Sequence, residues 1–198
     1  MSLHEVLPGA LLFASHFYVE AGALFDPRIP AEGGIEEVAR HGRPDRILLS
    51  NRHHLRHAEA FADAFGCSIH VQRAGLHEFA HGGPDVRPFG FGDEVAPGVR
   101  ALEVGALCDE ETAFHLRTGP GALLFADALI RGEDGALGFV PDFLMGEEPE
   151  RVKRGIGAAL ARLLAEDFDA VLFAHGEPLA AGGKRALEDF LRARALAA

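Results

Sequence analysis

The chain has 198 residues, 48% hydrophobic and 25% charged, long enough to bury a substantial core. Its net charge of −11, with no basic stripe or tail, argues against nucleic acid as a partner. No apolar run reaches the ~18 residues of a membrane span, the opening MSLHEVLPGALLFASHF lacks the basic start and long apolar core of a signal peptide, and the two cysteines, Cys67 and Cys108, make no disulfide framework.

In chain order, ALLFASHFYVEAGALFDP (10–27) reads as two strands joined at Glu20-Ala21-Gly22, the second ending at Asp26-Pro27. GGIEEVARHG (33–42) sets Ile35, Val38 and Ala39 on one helical face and stops at Gly42. DRILLS (45–50) reads as a short buried strand. RHAEAFADAFG (56–66) spaces Ala58, Phe61, Ala62 and Phe65 for a helix that stops at Gly66, and CSIHVQ (67–72) follows as a strand. Residues 73–98 are rich in Gly, Pro and His and read as a long loop, a length that often carries function. Leu76 and Phe79 anchor it. His77, Glu78 and His81 are solvated there and reach a ligand only if the loop covers a site.

Strand-like pieces come next at 99–104, 112–117, 122–130 and 136–140, with Asp134-Gly135 as a hairpin turn. Asp109-Glu110-Glu111 reads as a solvated turn. The last third is a helix (150–166), a strand (170–174), a break at HGEP (175–178) and a helix (184–196). No repeat, linker or low-complexity segment divides 1–198, so one domain is expected. The order, β-rich then α, twice over, suits an α/β fold of sheet layers covered by helices. Hairpins and lone β–α steps both occur, which disfavours a purely parallel sheet.

Three strand ends carry unusual polar residues. ILLS runs into Asn51-Arg52-His53-His54-Leu55-Arg56-His57, ALLFA into Asp127, and AVLFA into His175-Gly176. Carboxyl ends of strands gather at one edge of α/β folds, where sites are built. Singly, each residue has an ordinary explanation: an Asp after a strand usually serves a turn, and loop histidines are usually solvated. Together they point to one metal, and an imidazole-rich set favours zinc or iron over magnesium or calcium.

The order of these motifs resembles that of the metallo-β-lactamase superfamily over nearly the whole chain. Leu24-Phe25-Asp26-Pro27 matches the Leu-Ile-Asp element that ends the family's first hairpin. LLSNRHHLRH matches the strand running into T-H-x-H-x-D-H, LLFAD matches LLFTGD, and AHGEP matches the strand before GHG. The resemblance implies a four-layer αββα sandwich and metal-dependent hydrolase chemistry. It also shows departures. Counted from the strand, Asn51 and His53 take the two leading His positions, Leu55 the Asp and Arg56 the final His. Counted back from the helix, Arg52 and His54 lead, Arg56 takes the Asp and His57 the final His. Neither frame keeps the Asp or the first His. The family's H-T-P-G-S has only LCDEETAFHL in its place, where Cys108 or Asp109 is the available substitute.

The two-metal set is therefore incomplete, and the cofactor expected is one zinc or iron ion, or none. In the helix-counted frame the resemblance implies His57, Asp127 and His175 as ligands, assisted by His54. Arg56 stands where the family has a ligating Asp. Its guanidinium stays protonated, so it repels a metal if it points inward, or pairs with Asp127 or Glu59. Two functions remain open. One is a hydrolase-like protein in which a metal-activated water attacks an ester, thioester, lactone or phosphoester. The other is a metal-free member of the fold, a scaffold or a binder in which Arg52, His53 and Arg56 make a basic pocket for an anionic ligand. No catalytic residue is assigned, and β-lactam hydrolysis is not expected. The expected partner is a small molecule, with neither nucleic acid nor membrane; a homodimer stays open, and the location expected is cytoplasmic. HGEPLAAGGKR does not fit a phosphate loop, since Pro178 falls on its first Gly and Arg185 on its Ser or Thr. No G-x-S-x-G elbow is present.

Overall fold

A computed structural model describes residues 4–12 and 15–194. Strands β1 (His4–Leu7), β2 (Ala10–Leu12), β3 (His16–Tyr18) and β4 (Ala23–Phe25) lead to helix α1 (Gly34–His41). Then come β5 (Arg46–Leu48), α2 (Ala58–Phe65), β6 (Ser68–Gln72) and β7 (Val86–Phe89). These seven strands form one sheet in chain order, antiparallel up to β4 and parallel from β4 to β7. A second sheet has β8 (Glu94–Ala96), β9 (Val99–Glu103), β10 (Thr112–Leu116), β11 (Ala122–Phe125) and β14 (Ala170–Phe173) in the order β14-β11-β10-β9-β8. A small hairpin, β12 (Ile130–Arg131) and β13 (Leu137–Gly138), precedes helix α3 (Pro149–Leu163), and α4 (Gly183–Ala193) follows β14. No helix among the described residues is long and apolar enough to cross a membrane.

The layering follows from the two-residue period of strands, which sends neighbouring side chains to opposite faces. Phe17, Leu24, Ile47 and Ile69 pack outward with Val38 of α1 and Phe61 of α2. Their neighbours Tyr18, Phe25 and Leu48 point the other way and meet Ala101, Phe114, Leu124 and Leu172 of the second sheet. On that sheet Ala113, Leu123, Phe125, Val171 and Phe173 face Ile156 and Leu160 of α3 and Leu187 of α4. Three separate cores thus make four layers, αββα, as the motif order implies.

Three segments differ from the sequence reading. The first strand of 10–27 is two strands, β2 and β3, paired antiparallel with Leu12 opposite His16; positions 13 and 14 lie outside the described residues. Ser15 ends any continuous strand by turning its hydroxyl to the carbonyls of Phe25 and Asp26. Residues 73–98 are largely ordered: a 3-10 turn (Arg73–Phe79), then β7 and β8. Pro88 disguised β7, but β7 is an edge strand, where a missing N–H is tolerated. The 122–130 run stops at Phe125, and the Asp134-Gly135 turn joins β12 to β13 instead. The helices match the reading to within three residues at their ends, α2 beginning at Ala58 and α3 stopping at Leu163, and positions 195 and 196 lie outside the described residues.

His16 on β3 is buried, and its Nε2 meets no partner. Burial lowers its pKa from the ordinary 6.5 to about 4; the Asp26 carboxylate opposes this and Arg56 adds to it. A folded-state pKa below the unfolded value means stability that is complete above pH 6.5 and lost as pH falls toward 4. Between pH 7 and pH 5 the unfolding free energy should therefore drop by about 2 kcal/mol more in the wild type than in His16→Leu. Equal drops in denaturant titrations of the two proteins would refute this.

Candidate metal centre

The two sheets bring their loaded strand ends to one edge. Parallel registers, Phe25 opposite Leu48 and Phe125 opposite Phe173, keep the ends of β4 and β5 level, and likewise those of β11 and β14. Because β10 runs antiparallel to β11, its beginning, after Glu110-Glu111, lies at the same edge. Beyond β5 the chain tightens into a 3-10 turn (Arg52–His54), capped by the Asn51 side chain, which accepts the His53 N–H at 3.0 Å.

His54, Asp127 and His175 converge there, with donor atoms all within 4.8 Å of one another. Asp127 Oδ1 lies 3.3 Å from His54 Nε2 and 3.1 Å from His175 Nε2. A tetrahedral ion with bonds of about 2.0 Å spaces its ligands about 3.3 Å apart, so each imidazole nitrogen stands at ligand spacing from the Asp127 oxygen. Behind His54, its Nδ1 lies 3.0 Å from Asp26 Oδ2. A carboxylate in that place is how proteins commonly orient a ligating imidazole. Asp26 is itself fixed: it accepts the Ser50 N–H at 2.8 Å on Oδ1 and the Ser50 hydroxyl on Oδ2.

His175 is held through its backbone. Its carbonyl accepts the Arg131 N–H of β12 at 3.0 Å. The next residue, Gly176, sits at φ +111°, where an added Cβ would lie 2.1 Å from the Arg131 carbonyl oxygen. Only glycine allows β12 to come this close.

Glu110 and Glu111 are the residues the sequence reading missed. They are buried at 1% and 0% exposure instead of lying in a solvated turn; only Asp109 is exposed. Glu111 Oε1 accepts the backbone N–H groups of Asp127 at 2.9 Å and Ala128 at 2.8 Å, which is why β11 cannot continue. The Asn51 amide donates to both Glu111 Oε2 and Asp127 Oδ2, each at 3.0 Å. Arg52 donates to Glu110 and approaches Glu78 at 3.9 Å. Cys108 donates weakly to Glu111 at 3.7 Å and is outside the donor group.

The residues named from the motif separate into distinct places. His57 is exposed, accepts the Ile29 N–H on Nδ1 at 2.9 Å and does not join the donor group. His54 does. His53 and Arg52 line a cavity of about 370 Å³ together with Asn51 and Asp127, against an apolar side that includes Val140 and Leu144. Arg56 points inward: its Nη1 donates to the Asp26 carbonyl at 3.0 Å, and its Nη2 lies 3.4 Å from both His54 Nε2 and His175 Nε2. It thus bonds to the Asp26 backbone and contacts the two imidazoles, and makes no ion pair with the carboxylate of Asp127 or Glu59. His77 and His81 are exposed, and His77 is bonded to the Ala74 carbonyl.

Opposed charges set the protonation states. Burial alone would lower the His54 pKa, yet the charge of Asp26 and hydrogen bonds to Asp127 and Asp26 raise it to about 9. Burial would raise Asp127, but hydrogen bonds from His175, His54 and Asn51 hold it well below the usual carboxylate range. For Glu111, burial and the neighbouring Asp127 charge outweigh the bonds from Asn51 and Ala128 and the charge of His54, and push it up to about 7. Burial, with Glu111 and Glu110 nearby, keeps the Cys108 thiol protonated.

No family model and no curated protein matches the chain. Solved structures do, and they identify the architecture as the metallo-β-lactamase fold. A B3 metallo-β-lactamase with an active-site glutamic acid superposes with a TM-score of 0.65 at 15% identity, covering 99% of this chain and 90% of its own. A metallo-β-lactamase family protein from Thermus thermophilus gives 0.65 at 18%, with coverage of 96% and 81%. A protein solved in a di-iron-bound form gives 0.62 at 22%, with 83% and 86%.

The role of Asp26 is directly measurable. In an NMR titration the His54 ring should stay protonated past pH 8, consistent with a pKa of about 9, and titrate at least ~1 unit lower in Asp26→Asn. A pKa unmoved by the substitution would show that Asp26 does not set the charge of this ring.

Proposed function

We propose that the protein is a metallo-β-lactamase-fold, hydrolase-like protein with a single metal position formed by His54, Asp127 and His175. The supporting observation is the convergence of these three donors within 4.8 Å, both imidazoles at ligand spacing from Asp127, with Asp26 behind His54. Three protein ligands and an open position are the usual catalytic zinc arrangement. Among the described residues no second set of this kind is found, and Asn51 and Glu111 are engaged with each other and Glu111 with two backbone amides. The two imidazoles and one carboxylate suit zinc or iron.

Such an ion, when bound, supplies Lewis acidity that activates water toward an ester, thioester, lactone or phosphoester. The chain supplies the rest. Asp26 fixes the His54 ring, Glu111 pins the backbone that carries Asp127, and Asn51 occupies the second oxygen of Asp127. The cavity beside Asp127 receives the small-molecule substrate between Arg52 and His53 and the apolar Val140 and Leu144. A cytoplasmic location goes with this reading, and β-lactam hydrolysis does not.

One observation favours a second reading, a metal-free binder of an anionic ligand or a scaffold: the Arg56 guanidinium faces the two imidazoles. Metal analysis separates the two. After loading with zinc or iron and desalting, the first reading expects close to one ion per chain, lost in His175→Ala. Less than ~0.1 ion per chain under every loading condition would favour the second.

A further inference from the structure

Arg56 brings a cation to the edge of the candidate metal position. Its Nη2 is equidistant, at 3.4 Å, from His54 Nε2 and His175 Nε2. Those atoms are in turn 3.3 and 3.1 Å from Asp127 Oδ1. The guanidinium nitrogen therefore sits beside both imidazole donors, close to where an ion held by them would lie, without itself pairing with the Asp127 carboxylate. Its other nitrogen is moored to the Asp26 carbonyl at 3.0 Å. The backbone of Arg56 lies at φ +46°, a left-handed conformation that a non-glycine residue keeps only when its surroundings enforce it.

The charges give this placement a purpose. Asp26 and Asp127 put two carboxylates at the strand ends, and Arg56 is a permanent cation beside them. A divalent ion would answer the same negative charge from nearly the same place, so the two compete. We propose that Arg56 is a built-in counter-cation that closes the metal position and sets its affinity, the ion entering only when the guanidinium leaves. This rests on the single-metal reading above.

The test measures zinc affinity of the full chain in competition with a chromophoric chelator, for the wild type, Arg56→Gly and Arg56→Asn. Glycine and asparagine both accept a left-handed backbone, so these variants remove the cation without adding strain. Circular dichroism and melting curves check that they fold. Both should bind one zinc per chain at least ~10-fold more tightly than the wild type, about 1.4 kcal/mol. Zinc should also raise their melting temperature more than it raises that of the wild type. The double variant Arg56→Gly/His175→Ala should lose the gain. Equal one-ion binding by wild type and variants would overturn the role of Arg56 and leave the single-metal reading standing. Binding by neither, or binding that survives the His175 substitution, would overturn both.

Discussion

The buried carboxylate of Asp26 is the contact on which the site depends. Burying a charge is costly unless hydrogen bonds and a counter-charge offset it, and Asp26 has both. Its carboxylate takes two bonds from Ser50 and one from His54, while its carbonyl takes bonds from Ser15 and Arg56. It also sits at φ +46°, in the left-handed region that Asp enters more readily than most residues. One residue thus fixes the break before β3, the exit of β5, the His54 ring and the mooring of Arg56. The cost of its burial is met by the same groups that make the edge chemically interesting.

The second sheet has its own version of this device. Glu111 receives two backbone amides beyond β11 and one side-chain amide from Asn51, and these bonds place Asp127 where His54 and His175 reach it. The two buried acids differ in their neighbours. Asp26 faces His54 and Arg56, and their charges help hold it ionised, whereas Glu111 faces Asp127 and is pushed toward neutrality. The polar edge is therefore graded in charge, with cations on the side of the first sheet and a carboxyl near half protonation at neutral pH on the side of the second.

Much of this was legible in the chain itself. The helices declared themselves by apolar spacing and by glycine stops at Gly42 and Gly66, and Asp127 and His175 stood out as polar ends of apolar runs. Other features were hidden for physical reasons. Counting back from α2 favoured His57, but the residues between Ser50 and Ala58 pass through a 3-10 turn with three residues per turn and then a left-handed Arg56. Helical counting therefore carries a ring to the wrong side, and His54 points in where His57 does not. Glu110 and Glu111 were hidden because charged residues are nearly always exposed unless paired, and their pairs, Arg52 and Asn51, lie 58 and 60 residues away. The direction of Arg56 follows from a backbone angle that no side-chain pattern announces.

The donors do not come from one sheet. His54, Asn51 and Arg52 extend from the first, and Asp127, Glu110, Glu111 and His175 from the second. The bonds between these sets are therefore stitches across the sandwich, closing one mouth of a core whose middle is made of contacts such as Phe25 against Phe114, ring centres 5.2 Å apart. A small slip of one sheet over the other would part His54 from Asp127 before it exposed any apolar residue. The polar edge and the dry interior thus share a single mechanical coordinate: whatever tightens the edge clamps the sandwich, and a repacked interior detunes the edge from a distance.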